Sequence, residues 1–294
     1  MIPTLAYITW NVDPILFEIG PVSIRWYGLL WAVGLYLNYL IQVKLYKNEG
    51  SPDDWADKIF LWMTVGVIVG ARLGHCWFYE WHLTDDPIQI FAWTINYRNP
   101  YIEHPLWLIK VWEGGLSSHG GAVGVITAAI LLEKYQFSKN KKIKTSVIWI
   151  LDKLVIGICV TATLIRFGNL MNSEIYGNPT TMPWGFIFLR DPQVPIGADG
   201  QPLPCHPTQI YEMMYCIFAF VVTWLMYWKG QCYKKEGLIL GTFLVIIFLT
   251  RFGLEFMKLD QEAFEAGMIL NMGQWLSIPF IIWGAYLIWK ALKK

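Results

Sequence analysis

Seven stretches of this chain are apolar for long enough to cross a lipid bilayer. They lie near 22–45, 56–79, 116–135, 146–168, 207–228, 237–257 and 269–290. A spanning helix needs roughly 20 mostly apolar residues. The predicted fold is therefore an all-α integral membrane protein with seven transmembrane helices, one polytopic domain over 1–294. Composition supports this: 55% of the residues are hydrophobic and only 15% charged, whereas a soluble domain carries about 25% charged residues. Too little polar surface remains to coat a water-soluble body. The 16% aromatic content, with 17 Trp, suits two broad membrane interfaces. A net charge of +1 offers no basic surplus to a phosphate backbone, so no nucleic-acid partner is expected. A disordered chain and a secreted disulfide-rich module are excluded as well.

The N-terminal MIPTLAYITWNVDP lacks the basic region and small-residue cleavage site of a signal peptide. The first apolar run is therefore expected to remain as a span. Five cysteines, Cys76, Cys159, Cys205, Cys216 and Cys232, form no CxxC pair. They are expected to act as small core hydrophobes rather than as a disulfide framework or metal site. No cofactor and no metal is expected. Two long connections, 80–115 and 169–206, are rich in Pro, Gly, Asn, Asp and Trp, and loops of that length usually carry function.

Lysine asymmetry orients the spans. The ends after the first, third, fifth and seventh carry Lys44 and Lys47, then Lys134, Lys139, Lys141, Lys142 and Lys144, then Lys229, Lys234 and Lys235, then Lys290, Lys293 and Lys294. The opposite side is poor in basic residues; in 258–268, Lys258 stands alone against Asp260, Glu262 and Glu265. The positive-inside rule then predicts an outer N-terminus, a cytoplasmic C-terminus and two outward-facing long connections.

With that orientation, polar residues of five spans fall at one depth, in the outer leaflet. These are Tyr27 with Arg25, His119 in GGLSSHGG, Arg166 and Asn169, then His206, Gln209 and Glu212 in HPTQIYE, and Arg251 with Glu255. Ionisable groups in a membrane are costly and usually functional, and their convergence suggests one site. Arg166 and Asn169 share a helix face, as do Arg251 and Glu255. Two arginines near one point can fork around a phosphate, with Glu255 and Glu174 expected to hold the guanidiniums. Gly120, Gly121, Gly124 and Gly168 permit close approach of backbone or ligand. Plainer readings are open beside these. Arg25 is expected to snorkel to the headgroups, and Arg251–Glu255 is equally well a structural ion pair. A lone histidine such as His119 is more often packed than catalytic. His75, His82 and His104 are given no role; Arg72 is expected to pair with a carboxylate, and Asp152 with Lys153 to lie near the inner interface.

The segment RFGNLMNSEIYG at 166–177 resembles the signature of the phosphatidylglycerol–prolipoprotein diacylglyceryl transferases. RWYG at 25–28, GGLSSHGG at 114–121, HPTQIYE at 206–212 and RFGLEF at 251–256 agree in order. The signature opens on Gly, where this chain has Ile165. The resemblance implies transfer of a diacylglyceryl group from phosphatidylglycerol to the lipobox cysteine beside the signal peptide of a prolipoprotein, releasing glycerol phosphate. It implies a multi-pass protein of the bacterial cytoplasmic (inner) membrane, among membrane lipids, with a small extracytoplasmic head and arm. The active site would face the outer leaflet. By resemblance the site residues are Tyr27, His119, Arg166, Asn169, Asn172, Glu174, Gly177, Arg251 and Glu255. Arg166 and Arg251 would bind phosphate, and His119 either takes the thiol proton or orients the site. The alternative is a carrier or flippase for an anionic lipid or solute, using the same arginines without chemistry. It is weakened by the lack of an internal repeat and by the off-centre cluster.

The orientation is tested by cysteine labelling. A cysteine introduced within 139–144 is expected to react only from the cytoplasmic side, and one within 192–200 only from outside. The reverse pattern would overturn the single-depth argument.

Overall fold

The computed structural model describes residues 7–20, 22–78, 87–90, 93–96, 108, 117–140, 143–258 and 270–293. Among them are seven long helices: α1 (Trp26–Asn48), α2 (Trp55–Phe78), α3 (Ser118–Tyr135), α4 (Val147–Met171), α5 (Thr208–Trp228), α6 (Leu238–Leu254) and α7 (Met272–Lys293). All but α3 are long and apolar enough to cross a bilayer, with α6 continued to Met257 by a 3-10 turn. The protein is thus an integral membrane protein with six candidate spanning helices among the described residues. Most of the 80–115 connection lies outside the described residues, save Leu108 and a hairpin of β4 (Pro87–Ile90) and β5 (Trp93–Asn96).

The chain divides into two compact units, 46–150 and 1–45 with 151–294. The first is built on α2 and α3. Gly66, Gly70 and Gly74 on α2 lie against Gly120 and Gly124 on α3; a Cβ on Gly74 would sit 2.7 Å from the Gly120 Cα. With no hydrophobic force between helices in lipid, such backbone approach supplies the packing. Below it, Trp55 stacks on Phe137 at 4.0 Å and meets Trp149 edge-on at 5.9 Å. The Trp149 indole donates to Glu49 at 2.9 Å. Arg72, expected to seek a carboxylate, donates through Nε to the Leu108 carbonyl at 3.3 Å.

The second unit holds the other five helices. Polar groups stitch them: Thr161 Oγ1 of α4 donates to the Gly34 carbonyl of α1 at 2.9 Å, and Tyr227 OH of α5 donates to the Leu45 carbonyl at 3.1 Å. Gly241 and Gly284 bring α6 and α7 together, a Cβ on Gly241 falling 2.7 Å from the Gly284 carbonyl. Asp152, buried on α4, accepts from the backbone N–H groups of Gly237 at 2.6 Å and Leu240 at 2.7 Å. A carboxylate from a neighbouring helix thereby caps the N-terminus of α6, whose own cap, Gly237, has no side chain to do so.

The start of the first expected span differs from expectation. Residues Val22–Arg25 form strand β3, paired antiparallel with β2 (Ile15–Ile19) around Gly20 at φ 58°. Alternating Val22, Ser23 and Ile24 favour a pleated pair over a helix. The 169–206 connection is no loose loop. Its β6 (Phe186–Phe188) pairs parallel with β1 (Ile8–Trp10). Phe186, Phe188, Tyr176, Val194 and Cys205 pack with Leu170, closed by Trp10, whose indole donates to the Leu170 carbonyl at 2.9 Å. All five cysteines are free thiols and four are buried. Burial pushes the Cys205 thiol up to about 11, so it packs as a neutral group, as expected.

Asp152→Ala is expected to leave two buried N–H groups unpaired and lower stability by about 1–3 kcal/mol. Thermal unfolding of the detergent-solubilised protein measures this. An unchanged melting temperature would show that the cap contributes nothing.

Candidate active site

The site of the larger unit begins where α4 ends. Arg166 and Asn169 lie on one face of α4, and the Arg166 Nη1 donates to Asn169 Oδ1 at 3.1 Å. The chain then turns sharply. Ser173 at φ 57° and Ile175 at φ 59° are both left-handed, a costly conformation for β-branched Ile175, on the order of 1–3 kcal/mol. Local hydrogen bonds hold the turn: Glu174 N donates to the Asn169 carbonyl at 3.1 Å, Gln209 Nε2 to the Glu174 carbonyl at 2.6 Å, and Thr208 Oγ1 to the Ile175 carbonyl at 2.8 Å. The turn folds Glu174 back on the helix end, where its Oε1 accepts from Asn169 at 2.7 Å and Asn172 at 3.2 Å.

Gly177 closes the turn. Its N–H donates to the His206 carbonyl at 2.8 Å, and it bridges Lys258 in antiparallel fashion. A Cβ there would collide with the Met257 carbonyl and come within 2.8 Å of Thr208 Cγ2. Gly168 has a matching role beneath Tyr27, since a Cβ would lie 2.8 Å from the Tyr27 ring. So Tyr27, Arg166, Asn169, Asn172, Glu174 and Gly177 are gathered around one helix end.

Thr208, Gln209 and Glu212 on α5 are fully buried and share a helix face by their three- and four-residue spacing. Glu212 binds the Arg166 Nε at 2.5 Å and the Lys258 Nζ at 2.7 Å. Lys258 also reaches Glu255 at 3.3 Å, and Glu255 takes Arg251 Nε at 3.4 Å and Asn271 Nδ2 at 3.3 Å. One continuous chain of polar side chains therefore runs from Glu174 through Arg166, Glu212, Lys258 and Glu255 to Arg251. Glu212, Glu255 and Lys258 are buried, while the Arg166 and Arg251 side chains keep 22% and 24% of their surface. Among the described residues the Nη groups of Arg251 have no hydrogen-bond partner, leaving a planar fork of donors for an anion.

One sequence expectation needs correction. Glu174 does not hold a guanidinium; the turn directs it to Asn169 and Asn172, and Glu212 serves Arg166 instead. Lys258, which the sequence places at the start of the 258–268 connection, is buried, its side chain 3% exposed. Lys258 lies seven residues, two helical turns, after Arg251, so its shared face was readable from spacing. Its carboxylate partners, far away in sequence, were not. The Arg251–Glu255 ion pair is made, as the plainer reading expected. His119 is in the first turn of α3, in the other unit, and its side chain lies outside the described residues.

Above the cluster, His206 Nδ1 lies 3.2 Å from Tyr211 OH, which accepts from the Trp184 indole at 2.7 Å. Burial lowers the His206 pKa, favouring the neutral ring. Between α5 and α6, Tyr211, Met214, Phe218, Gly253, Leu254 and Met257 line an apolar groove of about 550 Å³.

A family model described as prolipoprotein diacylglyceryl transferase matches residues 14–290. The chain is 41% identical over 294 residues to a phosphatidylglycerol–prolipoprotein diacylglyceryl transferase of Porphyromonas gingivalis, covering 98% of this chain and 96% of the relative. It is 39% identical over 291 residues to a protein of that name in Chloroherpeton thalassium, with coverage of 99% and 97%. A third, from Bacteroides fragilis, is 36% identical over 292 residues, with coverage of 99% and 97%.

Glu212→Gln is expected to strand two cations against a neutral amide. Breaking a buried pair from one side costs about 3–5 kcal/mol, read as a lowered melting temperature in detergent. A fall under about 1 kcal/mol would mean that water already screens the carboxylate.

Proposed function

The chain belongs to the prolipoprotein diacylglyceryl transferase family, and on that premise we infer that it is a transferase moving the diacylglyceryl group of phosphatidylglycerol to a prolipoprotein, the first step of lipoprotein maturation. The acceptor is the thiol of the lipobox cysteine. The observation that carries this reading is the buried ion chain holding Arg166 and Arg251 by their Nε edges while both side chains stay partly exposed. A pair so held suits the phosphate of a lipid headgroup.

The chemistry balances within these groups. The sulfur attacks the glyceryl carbon, the carbon–oxygen bond to phosphate breaks, and glycerol phosphate departs with that electron pair. The thiol proton passes to a base, for which His119 is the candidate. The leaving group changes from a phosphodiester monoanion to a phosphate monoester of greater charge. Fixed arginine donors stabilise that developing charge, and such a donor typically contributes about 10²–10³ in rate. Tyr27, Asn169, Asn172, Glu174 and Gly177 shape the pocket around Arg166, and Glu255 orients Arg251. The apolar groove between α5 and α6 has the lining an acyl chain requires. The donor already carries its leaving group, so no cofactor is needed.

The finer topology belongs to the same proposal. One polytopic domain of seven spans, N-terminus outside, places the cluster in the outer leaflet of the bacterial inner membrane, with the 169–206 head extracytoplasmic. The lysine distribution supports that orientation, and α3 supplies a seventh helix at the expected position. Family membership disfavours a carrier or flippase.

The test is mass spectrometry of a lipobox peptide incubated with purified protein and phosphatidylglycerol vesicles. A diacylglyceryl adduct on the cysteine is expected; its absence would sink the assignment. Arg166→Lys and Arg251→Lys are both expected to lose most turnover despite keeping charge, because an ammonium lacks the guanidinium fork. Normal turnover in either would reduce that arginine to a structural role. His119→Gln should recover activity in part as pH rises toward the ordinary thiol pKa of about 8.5; no recovery would remove His119 as the base.

A further inference from the structure

Lys258 occupies the middle of the ion chain. Its position is determined from two directions. Its backbone bridges Gly177, and the neighbouring Met257 carbonyl accepts from Asn178 N at 2.8 Å. Its ammonium lies 2.7 Å from Glu212 and 3.3 Å from Glu255, with the side chain 3% exposed. Each of those carboxylates holds one arginine: Glu212 holds Arg166 and Glu255 holds Arg251. Lys258 is thus the common partner of two otherwise separate pairs, one rooted on α4 and α5, the other on α6.

We propose that Lys258 is a positioning residue for diacylglyceryl transfer, joining Glu212 to Glu255 so that the Arg166 and Arg251 guanidiniums are held at a fixed separation around one phosphate. This rests on the reading of both arginines as phosphate binders. Charge balance supports it. Among the directly ion-paired groups, three cations, Arg166, Arg251 and Lys258, face two carboxylates, Glu212 and Glu255. Without Lys258 the count is neutral, and the two carboxylates compete with phosphate for the arginines. They also repel each other across the space the ammonium filled, in a medium of low dielectric. Lys258 itself, buried behind the carboxylates, does not need to touch substrate.

The experiment measures peptide modification by the full-length protein with phosphatidylglycerol vesicles, as kcat and KM for each substrate, with melting temperature recorded for every variant. Lys258→Met is expected to lower kcat about tenfold or more and to raise KM for the lipid, leaving KM for the peptide unchanged. Lys258→Arg, which keeps the charge, should stay within about threefold of wild type. Turnover of Lys258→Met within about twofold of wild type overturns the proposal. So does a kcat loss in Lys258→Met that tracks the melting temperature with KM for the lipid unchanged, which would make Lys258 a packing element only. If Lys258→Met does not fold, Lys258→Arg decides: retained turnover supports the proposal, and loss in a folded protein overturns it. Wild-type protein that forms no adduct fails the transfer assignment itself and this inference with it, whereas normal adduct formation by wild type and Lys258→Met alike fails only the role of Lys258.

Discussion

Glu212 carries no exposed surface, yet it is a carboxylate on a helix of a membrane protein. Such a group is tolerated only when paired, because an unpaired buried charge costs far more than a domain's whole margin of stability. Here it is paired twice, with Arg166 at 2.5 Å and Lys258 at 2.7 Å. Those partners come from the end of α4 and from just beyond α6. Meeting the needs of one carboxylate therefore brings three helix ends together. Removing either partner would leave a charge buried and uncompensated, which is strongly destabilising.

The remaining features of the site serve that meeting. The left-handed Ser173 and Ile175 turn the chain within a few residues of α4, and Thr208 and Gln209, on the Glu212 face of α5, hold the turn open. Gly177 has no side chain because the Met257 carbonyl fills its place, and this contact delivers Lys258 to Glu212. Backbone strain, a glycine contact and an ion pair are thus parts of one construction. Its product is a pair of guanidiniums, each fixed at its Nε edge by a carboxylate. That geometry suits charge that grows during a reaction, because oriented donors need no reorganisation when the charge appears.

A second carboxylate solves a different problem by the same means. Asp152 takes two N–H groups at the start of α6. The polar inventory of this unit is thus divided between one carboxylate that starts α6 and a cluster that finishes it. α6 lies between them as an almost wholly apolar helix, which makes the placement of Arg251 and Glu255 along it well defined.

Much of this was readable in the chain itself. Apolar runs of about 20 residues located the six candidate spanning helices among the described residues, because helix formation in hydrocarbon depends on composition and length, both local properties. Spacing put Arg166 with Asn169 and Arg251 with Glu255, because a helix places residues three or four apart on one side. The motif segments named Tyr27, Asn172, Glu174 and Gly177, which the fold gathers around Arg166. What tertiary structure alone decided is who pairs with whom. Glu212 and Lys258 are 46 residues apart, and spacing gives only the face that Lys258 shares with Arg251, not its carboxylate partner. Its burial follows from a backbone contact to Gly177. Likewise Glu174 was assigned to an arginine on chemistry alone, until two left-handed residues turned it toward Asn169 and Asn172. Local sequence sets which groups are available at a helix end; long-range packing sets the distances between them, and electrostatic pairing depends on those distances.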